Sequence, residues 1–200
     1  MARPAAAPQR VRIIGGFWRS RLLKVADAPG LRPTTDRVRE TLFNWLGLSL
    51  EGSLCLDMFA GTGSLGLESA SRGAKKVTLL EANPLAHQVL QANLAQLGEL
   101  PPNCDINIIR TDAMAWAKKQ AGQKFDTIFI DPPFIDSDSL LKAIVLAEHL
   151  SIKGTHSIIY VECPSELSED LVLESLPGWH IARQMIAGAA KAMLIRRNPL

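Results

Sequence analysis

The chain is poor in the residues that hold metals and has nothing long enough to cross a membrane. Cys55, Cys104 and Cys163 are its only cysteines; they are far apart, odd in number and in no metal-binding spacing. That pattern argues against a disulfide framework and reads as reduced thiols in a cytosolic protein. His87, His149, His156 and His180 are equally scattered, so no metal is expected. No apolar stretch approaches the roughly 20 residues of a membrane-spanning helix. The Ala/Pro-rich start carries one arginine up to Gln9 and lacks the apolar core of a signal peptide, so residues 1–10 are expected to form a flexible tail. No internal repeat is present. What remains is 200 residues with 47% hydrophobic content, enough for one globular domain with a sizeable core and, by default, a monomer.

The net charge of +2 conceals an uneven distribution. Up to Glu40 there are nine Arg and Lys against three acidic residues, a local balance of +6, and the remaining 160 residues carry −4. A basic front on a mildly acidic body is the footprint of a polyanion-binding segment attached to an enzyme core. Residues 11–14 and 17–25 are β-rich runs around Gly15-Gly16, which predicts a hairpin decorated by Arg12, Arg19 and Arg21. Thr34 or Thr35 can cap the helix that follows, with Asp36 in its first turn and Val38, Leu42, Trp45 and Leu46 as the apolar stripe. Arg37 and Arg39 fall off that stripe and, with Arg32, are expected between hairpin and core, where they could clamp the phosphates of a polyanion or close over a cofactor. Residues 11–50 are therefore assigned as a basic hairpin-and-helix extension.

From residue 53 onward strands and helices alternate. Strands are predicted over 54–59, 77–81, 106–109, 125–130 and 157–163, and helices from 65, over 84–97, 113–120 and 139–150. Such alternation argues for right-handed βαβ units and a parallel sheet. The runs 179–187 and 192–196, joined through Gly188, predict a final pair in which at least one strand is antiparallel.

Three elements carry chemistry. Gly61-x-Gly63-x-x-Gly66 closes the first core strand and opens a helix, matching the dinucleotide fingerprint with Glu81 at the end of the second strand. An NAD-dependent oxidoreductase is one reading of it. Asp57, four residues before the first glycine, suits an ammonium better than a pyrophosphate. With Glu81, Asp112 and Asp131 it is expected to line one crevice at the carboxyl ends of neighbouring strands. Four carboxylates would repel a diphosphate, but they fit S-adenosylmethionine, with its ammonium, sulfonium, ribose hydroxyls and adenine amine. Asp131-Pro132-Pro133-Phe134 then supplies a carboxylate, a carbonyl and a π-face, which suit a planar group bearing an exocyclic amine. By itself the tetrapeptide does not separate guanine from adenine.

Residues 56–66, Glu81, Asp112 and the Asp131–Phe134 tetrapeptide resemble the motifs of class I S-adenosylmethionine-dependent methyltransferases acting on exocyclic amines. The segments 12–21 and 30–46 and the terminal Leu194-Ile195-Arg196-Arg197 resemble, more narrowly, the bacterial 16S ribosomal RNA guanine-N2 methyltransferase family. Members of that family methylate guanine 966 in the conventional numbering. The segment 188–192 departs from the family in lacking an aromatic residue.

The resemblance implies a Rossmann-like α/β fold: a doubly wound, mostly parallel seven-stranded sheet with a C-terminal antiparallel strand, an N-terminal hairpin-and-helix extension, and a methyltransferase domain over 51–200. It implies a cytoplasmic enzyme acting on the small ribosomal subunit. Asp57, Phe59, Gly61 and Gly63 would meet the methionine part of the cofactor, Glu81 the ribose, and Asp112, with Asn83 and Ala113, the adenosine end. Asp131 and Pro132 would hold the amine and Phe134 would stack on the base, while Arg12, Arg19, Arg21, Arg32, Arg37 and Arg39 would meet RNA. An adenine-N6 DNA methyltransferase, a protein glutamine methyltransferase and a non-catalytic RNA-binding protein are the alternatives. Asp at position 131 counts against the glutamine enzymes, and the short chain against the DNA enzymes.

Overall fold

The computed structural model describes residues 10–26, 35–47, 49–120, 122–133, 136–152 and 156–199. The chain begins with β1 (Arg10–Arg12) and β2 (Leu22–Lys24), an antiparallel pair in which Arg10 faces Lys24, Val11 faces Leu23 and Arg12 faces Leu22. The hairpin exists, but its strands are shorter than the β-rich runs predicted, and Gly15-Gly16 is not its turn. The chain reverses just beyond, where the Arg19 amide donates to the Gly16 carbonyl at 3.2 Å and Ser20 has φ +69°. The glycines serve close approach instead. A Cβ on Gly16 would lie 1.7 Å from the Ser71 carbonyl oxygen, which accepts from the Phe17 amide at 2.7 Å.

Helix α1 (Asp36–Leu46) starts where the capping residues placed it: the Thr35 hydroxyl accepts from the Val38 amide, and Gly47 ends the helix at φ +102°. The alternating part follows as β3 (Leu54–Asp57), α2 (Gly66–Ser71), β4 (Lys76–Glu81), α3 (Pro84–Leu97), β5 (Asp105–Arg110), α4 (Ala113–Lys119), β6 (Thr127–Ile130), α5 (Ser137–Leu150) and β7 (Ile158–Pro164). Then come α6 (Glu169–Glu174), a short helix that hydrophobic periodicity did not reveal, β8 (Trp179–Ala187) and β9 (Ala190–Arg197). Helix α3 has the bounds expected from its cap: Asn83 Oδ1 accepts from the Leu85 and Ala86 amides at 2.9 and 3.1 Å, with proline at the first position.

Seven strands form one sheet in the order β5-β4-β3-β6-β7-β9-β8. The first five are parallel, while β9 runs antiparallel to both β7 and β8. This is the doubly wound class I methyltransferase fold. The strand order reverses between β3 and β6, so a crevice opens at their carboxyl ends.

Side chains alternate across a sheet with period two, and the register fixes which residues share a face. Asp57 pairs with Leu79 and with Phe129, and Phe129 pairs with Tyr160. Glu81, Asp131 and Glu162 each lie two residues beyond one of these partners, so all four carboxylates lie on one face, toward the carboxyl ends of their strands. That face packs against α2 and α3, and also against the N-terminal extension. Ile13, Trp18, Leu23, Val38, Leu42 and Phe43 lie in the same apolar cluster as Leu67, Leu79, Phe129 and Tyr160. The opposite face, with Leu80, Ile128, Ile130, Ile159 and Val161, packs against α4, α5 and α6. No helix among the described residues is long and apolar enough to cross a membrane.

Candidate active site

A cleft of about 560 Å³ opens where the strand order reverses, lined from the core by Asp57, Phe59, Gly61, Glu81, Asp131 and Pro132. Val25, Thr35 and Val38 close it from the N-terminal extension, and residues 187–190, between β8 and β9, from the other end. The volume is that of a site for a nucleoside-sized ligand.

At its floor Asp57 is almost wholly buried. Its Oδ2 accepts from the Gly66 amide at 3.0 Å, an approach that requires glycine, since a Cβ there would lie 2.5 Å from Leu79 Cδ2. Among the described residues Oδ1 has no partner in good hydrogen-bond geometry, although the Phe59 amide lies close enough to favour the charged form. Burial pushes the carboxyl up to about 7, against the Gly66 hydrogen bond that favours the charged form, and nearby Asp131 adds to the rise. A buried acceptor left without a well-placed donor is costly. A cationic donor in the cleft would satisfy it, which is the requirement for the ammonium of S-adenosylmethionine.

Glu81 works on the loop. Its Oε2 accepts from the Gly61 amide at 2.7 Å and its Oε1 from the Asn83 amide at 2.6 Å, fastening the glycine loop to the start of α3. Gly63, at φ +90°, has no room for a Cβ, which would come within 2.4 Å of Leu90 Cδ1. Asp131 and Pro132 follow β6 directly and are half-buried at the cleft. Phe134 and Arg32 lie outside the described residues.

Asp112 is exposed and caps α4 just after β5, where its Oδ1 accepts from the Ala115 amide at 2.7 Å. Strands β5, β4, β3 and β6 are consecutive in the sheet, so Asp112 stands in line with Glu81, Asp57 and Asp131, outside the lining of the cleft itself, as do Asn83 and Ala113. Glu162, on β7 beyond β6, also lines the cleft, and sequence reading missed it. The rule that found the others, an acidic residue ending an apolar strand, would have marked it after Ile158-Ile159-Tyr160-Val161. Its Oε1 accepts from the hydroxyl of buried Tyr160 at 2.7 Å. Burial first, and then Glu162, hold that phenol well above its usual range.

Of the predicted RNA-facing arginines, Arg12, Arg19, Arg21 and Arg37 are exposed. Arg10, Arg12 and Lys24 stand on the outer face of the hairpin, with Val11 and Leu23 buried beneath. Arg39 is a correction: its side chain is fully buried and cannot meet a phosphate at the surface. It donates to the Arg12 carbonyl at 2.7 Å, pairs with Asp36 at 2.6 Å and lies 3.9 Å from Glu68. Glu68 accepts from the Ile14 and Gly15 amides at 2.6 and 2.8 Å and from Arg72 Nε at 2.8 Å. This buried cluster fastens the hairpin to α2. Asn93 fastens it to the glycine loop: its amide donates to the Lys24 and Thr62 carbonyls at 2.9 and 3.0 Å and accepts from the Lys24 amide at 2.8 Å. The basic hairpin and the cofactor loop are thus held as one unit. Among the described residues no group of three or more His, Cys, Asp or Glu is placed to hold a metal.

The chain is similar to known proteins in sequence and in fold. Residues 11–196 match the family model described as Conserved hypothetical protein 95. The chain is 42% identical over 190 residues to the ribosomal RNA small subunit methyltransferase D of Escherichia coli K12, covering 94% of this chain and 91% of that one. It is 39% identical over 183 residues to the Haemophilus influenzae protein of the same name, covering 91% of each. The solved structure of Escherichia coli yhhF, described as a methyltransferase, superposes with a TM-score of 0.78 at 37% identity, covering 96% of this chain and 99% of that one. The chain therefore belongs to the Conserved hypothetical protein 95 family, alongside relatives named ribosomal RNA small subunit methyltransferase D.

Proposed function

We propose that this protein transfers a methyl group from S-adenosylmethionine to the exocyclic N2 amine of guanine 966 in 16S ribosomal RNA, presented on the assembled small subunit. One observation carries the reading: a buried carboxylate oxygen without a well-placed donor, on Asp57, lines the same cleft as Asp131 and Pro132 on the adjacent strand. The names of the relatives support ribosomal RNA as the substrate, and the likeness of the N-terminal segments to the guanine-N2 family supports the base.

When bound, S-adenosylmethionine supplies an electrophilic methyl on a sulfonium. Asp57 holds the ammonium, and Gly61 and Gly63 bring the loop backbone close to the methionine part. Glu81 keeps that loop in place and faces the ribose side. Asn83 and Asp112, as helix caps, and Ala113 beside them border the adenosine end beyond the lining of the cleft. The Asp131 carboxylate and the Pro132 carbonyl accept from the amine N–H groups and turn the nitrogen lone pair, otherwise delocalised into the ring, toward the methyl. Positioning and electrostatics supply the acceleration. Phe134 is assigned by its place in the tetrapeptide to stack on a base swung out of the RNA, and Arg12, Arg19, Arg21 and Arg37 to contact phosphates.

The test is transfer of labelled methyl to small subunits from a strain lacking the enzyme, followed by nucleoside analysis. Label in N2-methylguanosine at a single position is expected. Label in N6-methyladenosine would overturn the acceptor.

A further inference from the structure

We propose that Phe17 is a second point of contact with the substrate, a platform on which an unpaired base of the ribosomal RNA stacks at the end of the basic hairpin farthest from the cleft. The proposal rests on ribosomal RNA as the substrate and on no choice of which base is methylated. Among the described residues Phe17 is the one exposed aromatic side chain, 50% accessible to solvent. A single exposed apolar residue is ordinary on a protein surface. The setting of this one is not.

The turn that carries Phe17 is clamped. The Phe17 amide donates to the Ser71 carbonyl at 2.7 Å and the Trp18 amide to the Ser71 hydroxyl at 2.9 Å, and that hydroxyl donates to the Gly15 carbonyl at 2.6 Å. Buried Trp18 donates its Nε1 to the Glu99 carbonyl at 2.9 Å and meets the Phe17 ring edge to face, with centroids 6.3 Å apart. Ser20 takes φ +69°, and its amide reaches the Ile13 carbonyl at 2.9 Å. The backbone thus holds an apolar ring outward, where burial would be the favourable course. A ring fixed before binding loses little freedom when a base stacks on it.

Its neighbours are cationic. Residues 10–24 contain five Arg and Lys and no acidic residue, and Arg10, Arg12, Arg19, Arg21 and Lys24 are all exposed. Cations that track a phosphate backbone, with an aromatic face among them, are the recurring means of holding single-stranded nucleic acid. In RNA the bases free to stack are those of loops, bulges and ends.

The place of the turn gives the contact a purpose. Helix α2 begins at Gly66, whose amide reaches Asp57 on the cleft floor, and ends at Ser71, to which the turn is fastened. The other end of the hairpin is tied through Asn93 to Thr62 in the glycine loop. Cleft and ring are therefore held apart by one rigid unit. It favours an RNA that presents the target base and a second unpaired base at that separation.

The test is equilibrium binding of the enzyme, loaded with S-adenosylhomocysteine, to small subunits from a strain lacking it, at several salt concentrations. Phe17→Leu keeps apolar bulk and removes the π-face, and should weaken binding about fivefold or more at every salt concentration. The slope of log affinity against log salt should not change, because no phosphate contact is lost. In methyl transfer KM should rise by the same factor while kcat and S-adenosylhomocysteine affinity stay as in wild type. Phe17→Tyr should bind within about twofold of wild type. With p-benzoylphenylalanine at position 17, irradiation should cross-link the enzyme to 16S ribosomal RNA. A Phe17→Leu enzyme that binds as wild type does, or a cross-link to ribosomal protein alone, overturns the stacking role and leaves the methyltransferase reading standing. Wild type that neither binds nor methylates small subunits overturns both.

Discussion

The two faces of the central sheet are built to different rules. One packs Leu80, Ile128, Ile130, Ile159 and Val161 against α4, α5 and α6 in an almost wholly aliphatic layer. The other places Asp57, Glu81, Asp131 and Glu162 at the ends of its strands and buries Arg39, Glu68, Arg72 and Asn93 beneath the N-terminal extension. The apolar face is held chiefly by buried area. The polar face binds through specific hydrogen bonds, and by them it couples the glycine loop to the basic hairpin. On the proposed reading, chemistry and RNA contact both lie on that side.

The largest difference should appear on cutting one group from each face. Glu68→Ala leaves the buried Arg72 guanidinium without its carboxylate, while Arg39 keeps Asp36; it should cost about 3–5 kcal/mol, and it should also release the Ile14 and Gly15 amides to hydrogen exchange. Ile144→Ala, on the aliphatic face, should cost a comparable ~2–5 kcal/mol. Well below its melting temperature, however, it should keep kcat/KM near wild type, whereas Glu68→Ala should not. Equal loss of activity in the two would erase the distinction between the faces.

A smaller effect concerns Asp57. Its carboxyl is raised from 3.8 to about 7 in the folded protein. The unfolded chain ionises first, so this group's contribution to apo stability is full below about pH 4 and falls as pH rises through 7. An ammonium ligand prefers the ionised form, and the affinity for S-adenosylhomocysteine should therefore rise roughly fivefold to tenfold from pH 6 to pH 7.5. Calorimetric titration at several pH values reads it directly; a flat profile would mean that Asp57 does not face the ammonium. Smallest is the surface term. Replacing Arg12, Arg19 and Arg21 together should reduce the slope of log affinity for RNA against log salt by about 2. An unchanged slope would make them ordinary solvated cations.

Much of the polar face was legible because its signals are local. Thr35 and Asn83-Pro84 marked helix starts within a few residues, and the acidic residues closing apolar strands marked Asp57, Glu81 and Asp131. What was illegible depends on partners far away in sequence. Arg39 reads as a surface cation on its own helix, and only Glu68 and the Arg12 carbonyl bring it inside. Gly15-Gly16 reads as a turn until α2 is laid across it. Asp112 lies in the row of strand-end carboxylates that the order β5-β4-β3-β6 makes, and what spacing did not reveal is that it is exposed and caps α4. Glu162 carries the same local signal, an acidic residue after an apolar run, and its place beside the cleft depends on β7 neighbouring β6.

The division of labour between neighbouring carboxylates is tested most directly by measuring methyl transfer and S-adenosylhomocysteine affinity together on Asp57→Asn and Asp131→Asn. Asp131→Asn should lose transfer to small subunits by on the order of 10³-fold while binding S-adenosylhomocysteine within about threefold of wild type. Asp57→Asn should lose affinity by tenfold or more, as expected from removal of a charged hydrogen bond. Near-normal transfer by Asp131→Asn, or the same loss of affinity in both variants, would contradict the assignment of the acceptor to Asp131 and the cofactor to Asp57.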